Sequence, residues 1–179
     1  GSGNNVFHDS VFVTNNGGGY LLFGNTNRDI FNSFCRFTSN SGIIYVAHRG
    51  TDNLFNGDIE VNSSGSGVRF SISTGNSILA DGASIRSGAT GFSAGQLMIG
   101  RMRFSGTTDQ SITTTGTSTL LLGPGIETNG KMQLSSPGLC FNGGTFNNIV
   151  DASKTGSSND GGTGNNIFND SLIIRQSGT

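Results

Sequence analysis

With 179 residues, 12% of them charged and a net charge of -1, the chain has one domain's length and no excess of cations. That balance argues against a phosphate-tracking nucleic-acid surface or a polybasic membrane patch, and no apolar run approaches the roughly 20 residues of a membrane-spanning helix. Gly, Ser, Thr and Asn make up about half of the sequence, but 13 Phe spread along it supply the apolar content that a disordered chain lacks.

The first elements recur. Phe7, Phe31 and Phe55 stand at equal intervals. Each opens the same sentence: an apolar-Phe start, an alternating run, a Gly/Ser/Asn turn, a second apolar run and another turn. Short alternating runs bounded by turn residues are strands, and no window carries the helical period. A unit of about 24 residues cannot bury a core alone, but stacked units can. The expected fold is all-β, a parallel β-solenoid with coils of about 20–24 residues, rising about 4.8 Å per coil.

Stacking the first three coils gives their columns. Val11, Cys35 and Ile59 form one inward column, and Val13, Phe37 and Val61 another. Phe12, Arg36 and Glu60 face outward between them, with Arg36 and Glu60 as opposite-charge neighbours. In the second run Tyr20, Ile44 and Val68 point inward, as do Leu22, Val46 and Phe70. Leu21, Tyr45 and Arg69 point outward. The run from Ala80 to Gly106 departs from the phrase and reads as a longer coil or an excursion. Beyond it the coil shortens, and stacking puts Ile112 near Met132 and Leu121 near Cys140. Phe146 resumes the Phe-Asn phrase.

The end of the sequence echoes its beginning. GSGNNVFHDSVFVTNNGG, which starts at Gly1, returns as GTGNNIFNDSLIIRQSGT, which starts at Gly162. Residues 1–161 are therefore expected to be one super-repeat of about seven coils, and residues 162–179 the first coil of the next. The chain's ends would then be cuts in a periodic rod, and any targeting segment would lie outside it.

The recurring phrase stands as NNVFHDSVFV, RDIFNSFCRF, DNLFNGDIEV and NNIFNDSLII. It resembles the giant repeat proteins of Bacteroidota secreted by the type IX system, gliding-adhesin-like or grappling-hook-like. The resemblance is clearest over residues 1–79 and 107–179. It implies a passive extracellular or cell-surface filament, a mechanical stalk for attachment, gliding or prey capture, with no catalytic residues to carry over. Its partners would be neighbouring repeats and identical chains, with neither nucleic acid nor membrane insertion.

Candidate sites are few. Outward Phe12 and Leu21, with Tyr45 above them, form a candidate lateral interface, since exposed apolar groups in a row mark contacts. Ser10 and Ser171 sit in Asp-Ser-apolar triplets that resemble the O-glycosylation sequence of Bacteroidota, although a turn Asp before a strand also explains them. Asn62 and Asn169 fit the N-glycosylation pattern. Asp9, Asp29, Asp52 and Asp58 are candidate ligands for a structural calcium, but the tandem glycine-rich calcium nonapeptide is absent and Asn at a coil corner more often bonds backbone, so no cofactor is expected, structural calcium being the alternative. Cys35 and Cys140 occupy apolar positions as free thiols, a disulfide being the alternative. The eleven acids are scattered. His8 and His48 occupy different coil positions, and Gly17–Gly19 is a turn, so no catalytic or metal set is expected. The competing readings are a carbohydrate-binding or polysaccharide-degrading β-helix and a free-standing binding module.

Overall fold

A computed structural model describes residues 2–64, 66–92, 96–116, 119–158 and 160–178. All regular structure among them is β, in three parallel sheets that wind as a solenoid of about seven turns. The first sheet stacks the two- or three-residue strands around the Phe phrase, from Val6–Phe7 and Ile30–Phe31 to Thr145–Phe146 and Ile167–Phe168. The second runs from Val11–Asn15 through Cys35–Ser39 and Ile59–Ser63 to Leu172–Gln176. The third runs from Tyr20–Leu22 through Ile43–Val46 and Gly67–Phe70 to Gly161–Gly162. Each strand pairs with the strand three places on in sequence, so every full coil contributes one strand to each sheet.

The core fills the space between the sheets. Phe31 stacks on Phe7 at 4.9 Å between centroids and on Phe55 at 4.8 Å, while Phe37 meets Phe70 edge-on at 5.7 Å. Parallel in-register pairing superposes like side chains, so the repeated Phe makes columns of stacked rings, interrupted at Leu79 and Thr128. The residue after each Phe makes a second column outside. Asn56 donates through Nδ2 to Asn32 Oδ1 at 2.9 Å, and Asn169 to Asn147 at 2.7 Å. His8 heads this column. Coils also need glycine where they touch at turns: a Cβ on Gly42 would lie 1.7 Å from the Gly19 carbonyl oxygen.

The second-sheet columns over the first three coils match the sequence reading. Val11, Cys35 and Ile59 are in register, as are Val13, Phe37 and Val61. Glu60 does face outward, yet it is only 8% exposed, because Arg36 and Arg86 cover it from both sides.

Two expectations change. In the third sheet Tyr20 pairs with Ile43, Leu21 with Ile44 and Leu22 with Tyr45. The Gly17–Gly19 turn is one residue longer than its counterpart in the next coil, and this slips the strand by one. A one-residue slip reverses every side chain. Leu21 therefore joins the inward Ile44–Val68 column, while Tyr20 and Leu22 turn outward. Farther on, Ile112 pairs with Leu134 and Met132 with Gln110, while Leu121 does pair with Cys140.

The stretch from Ala80 to Gly106 is an integral coil. It supplies the strands Ile85–Phe92, Gln96–Ile99 and Met102–Phe104, with a bulge that sets residues 88–91 opposite the single Asn62. A corner of only Gly100 and Arg101 separates Ile99 from Met102, and the coil still advances by one layer. The echoed phrase that starts at Gly162 forms the strands Ile167–Phe168 and Leu172–Gln176, which open an eighth coil.

Candidate functional site: the outer face of the third sheet

The residues expected to form a lateral contact are divided among faces. Phe12 is on the second sheet, 64% exposed, 6.0 Å from Phe34, with the Arg36 guanidinium 5.4 Å from its ring centre. Leu21 lies on the inward side of the third sheet, and its 37% exposure reflects a terminal strand with no coil over it. Tyr45 is on the outer side of that sheet and half-buried. The expected single row of Phe12, Leu21 and Tyr45 does not form, because the slip at Gly17–Gly19 turned Leu21 over.

The candidate glycosylation positions Ser10 and Ser171 are exposed at the corner between the first and second sheets. Ser10 Oγ lies 3.5 Å from Ser33 Oγ, and the Ser171 N–H donates to Asp170 Oδ1 at 2.6 Å. The candidate calcium ligands do not converge. Asp29, 1% exposed, accepts through Oδ1 from the Asn5 N–H at 3.0 Å and its Nδ2 at 2.8 Å, and through Oδ2 from the Gly24 N–H at 2.7 Å. Asp52 Oδ1 accepts from Asn76 Nδ2 at 3.1 Å, and Asp58 Oδ1 accepts from the Ser84 N–H at 2.8 Å. These three carboxylates tie adjacent coils together. Asp9 is exposed. Among the described residues, no three His, Cys, Asp or Glu side chains form a ligand set.

Cys35 and Cys140 are both free, on different sheets. Burial pushes the Cys35 thiol up to about 12. Burial also raises Cys140, with the Asp160 charge adding to it and the Gly161 N–H opposing it.

A cleft that sequence reasoning missed lies around Tyr45. It has a volume of about 350 Å³ and is lined by Tyr20, Leu22, Asn25, Tyr45, His48 and Arg49. Tyr20 and Leu22 reach it only because of the one-residue slip. The Tyr20 ring meets Tyr45 edge-on at 6.0 Å, and His48 lies 5.0 Å from Tyr45. From the next coil Arg69 lays its guanidinium 5.6 Å from the Tyr45 ring centre and donates through Nη1 to Tyr45 Oη at 3.4 Å. The outward columns Tyr45–Arg69 and Leu22–Tyr45 follow from the register. Burial, helped by the neighbouring Arg49 charge, lowers the His48 pKa, so the imidazole is neutral near pH 7. Its Nδ1 and the Arg69 Nε are shut off from solvent without a protein partner among the described residues.

The arrangement defines a parallel β-solenoid with an aromatic-basic cleft on one face. No protein-family model, curated protein or solved structure matches the chain.

Proposed function

We propose that the chain is a structural repeat of a long extracellular filament or giant adhesin, of the type IX-secreted kind that its phrase resembles. It acts as a mechanical stalk at the cell surface and not as an enzyme. The observation that carries this reading is the recurrence of one coil in both sequence and place. Phe168, in the echoed phrase, stacks on Phe146 at 5.0 Å, as Phe31 does on Phe7 at 4.9 Å. A phrase that returns after about seven layers and stacks again in the first sheet is what a continuing rod requires.

The mechanics follow from the pairing. Each coil's backbone bonds to the next in three sheets, so load along the axis is shared by many hydrogen bonds, and unpaired strand edges occur only at an end. The partners are then neighbouring repeats of the same chain and identical chains bundled alongside, with neither nucleic acid nor membrane insertion.

Electron cryo-microscopy of the native assembly tests this. A layer spacing near 4.8 Å within a longer axial repeat of about 33 Å is the expected result. Compact separate particles without the longer repeat would refute the stalk and favour a stand-alone glycan-binding or glycan-degrading module.

A further inference from the structure

The arginines of this rod are treated differently on its different faces. On the second sheet Arg36 and Arg86 share Glu60, at 2.5 and 3.4 Å, and Arg175 is paired with Asp151. Near the third sheet neither Arg49, in the corner after Ile43–Val46, nor Arg69 has an ion-pair partner among the described residues; Arg49 lines the cleft, and Arg69 lies against the Tyr45 ring. The carboxylate of Asp29 lines the adjoining groove, where Asn5 and Gly24 already occupy its oxygens. The cleft thus collects uncompensated positive charge on a chain whose net charge is -1.

Beside that charge stands Tyr20, on the end strand of the third sheet and 68% exposed, its ring held in place by its edge contact with Tyr45. A flat aromatic face packs against the C–H face of a pyranose ring, and a guanidinium takes a carboxylate or sulfate through charge-assisted hydrogen bonds. The cleft volume of 350 Å³ falls within the range of roughly 300–1,000 Å³ for small-ligand sites. His48, whose enclosed Nδ1 has no protein partner among the described residues, also lines it.

We infer that this cleft binds a negatively charged sugar unit of an acidic polysaccharide, with Tyr20 as the stacking platform and Arg49 holding the anionic group. Single-stranded nucleic acid also uses aromatic platforms and cations. It needs a basic groove that follows successive phosphates, whereas the charge here is confined to one spot. The lining comes from two adjacent coils, the first of which carries the end strand of the third sheet, and the coil stacking does not rest on ligand binding, so its failure would leave the stalk reading standing.

The test is calorimetric titration of the purified chain with oligogalacturonate, a chondroitin sulfate oligosaccharide, maltohexaose and a short single-stranded DNA. Saturable binding of either acidic oligosaccharide is expected, weakened by added salt, with none for maltohexaose; which acid binds identifies carboxylate or sulfate as the recognised group. Tyr20→Ala and Arg49→Gln, both on exposed side chains, should each weaken binding by about tenfold, the value of one lost contact of this strength, with unchanged melting. No binding of acidic sugars at millimolar concentration, equal binding of maltohexaose, preference for the DNA, or variants that bind as the parent does would each overturn the assignment.

Discussion

Two coils of this solenoid show how different chain lengths make the same layer. One turn runs from Leu79 to its ladder partner Phe104, and a markedly shorter one from Thr128 to its partner Phe146. Both turns place one strand in each sheet and advance one layer. The long coil stores its surplus in the bulge at residues 88–91. The short one joins Met132–Ser136 to Gly138–Phe141 through Pro137 alone. Ladder pairing is held by the sheets, because parallel strands must bond to their neighbours. Corners, and in the long coil a bulge within the strand, absorb the difference.

The same contrast holds for the core. The early coils are packed by aromatic columns, whereas the middle of the later half is packed by Leu, Ile and Met, with Thr128 taking a Phe position. Phe55→Ala strikes the aromatic half at its centre, between Phe31 at 4.8 Å and Phe70 at 6.0 Å. It should cost about 3–5 kcal/mol in urea unfolding, the usual range for a fully buried Phe truncated to Ala. A loss under about 1 kcal/mol would show that the rings do not carry that half.

Glu60→Gln removes the carboxylate shared by Arg36 and Arg86. The acid is covered while both arginines are substantially exposed, so a cost of about 1–2 kcal/mol is expected, between the surface and buried limits. Denaturation at low and high salt should show that loss shrinking as salt rises.

Thr128→Val tests the opposite half with a change of opposite sign. The Thr128 Oγ1 is buried without a partner among the described residues. Replacing the hydroxyl with a methyl should leave stability unchanged or raise it by up to about 1 kcal/mol. A measured loss would mean that the hydroxyl has a partner, such as a buried water.

The smallest effect is absent at neutral pH. Cys35 keeps a folded-state pKa of about 12 against an ordinary value of 9.0. Its folded value is raised, so its contribution is complete below pH 9 and is lost as pH rises from 9 toward 12, where the unfolded chain ionises first. Cys35→Ser should therefore flatten the alkaline arm of the stability profile. In the native protein at pH 8, thiol labelling should reach the partly exposed Cys140 far sooner than Cys35.

Much of this is legible in single residues. The even spacing of Phe7, Phe31 and Phe55 shows the coil. The alternation Cys35–Arg36–Phe37 against Ile59–Glu60–Val61 shows which faces are inward and that Arg36 meets Glu60. The register of Tyr20 is not legible, because a constant period constrains the total length of a coil and not where its turns spend their residues. An extra residue at Gly17–Gly19 is offset by a shorter next corner, so the period survives while the faces exchange. The cleft stays hidden for that reason: it assembles Tyr20 with Tyr45, His48 and Arg69 only after the exchange. The run after Ala80 hides its strands because its bulge breaks alternation.

A similar shift acts over the whole rod. The echo aligns Val13 with Ile174, yet in the second sheet the column that begins at Val11 continues through Ile85, Ile112 and Ala152 to Ile174. The ladder slides by two positions, an even step that keeps the inward face inward. By itself the sequence determined that the chain is a parallel solenoid of about seven coils with a Phe column at its heart, since periodicity and side-chain alternation are properties of one chain read along its length. The tertiary structure decided the registers, the faces of individual turns and the chemistry that meets across coils, since these depend on hydrogen bonds between residues that no local pattern relates.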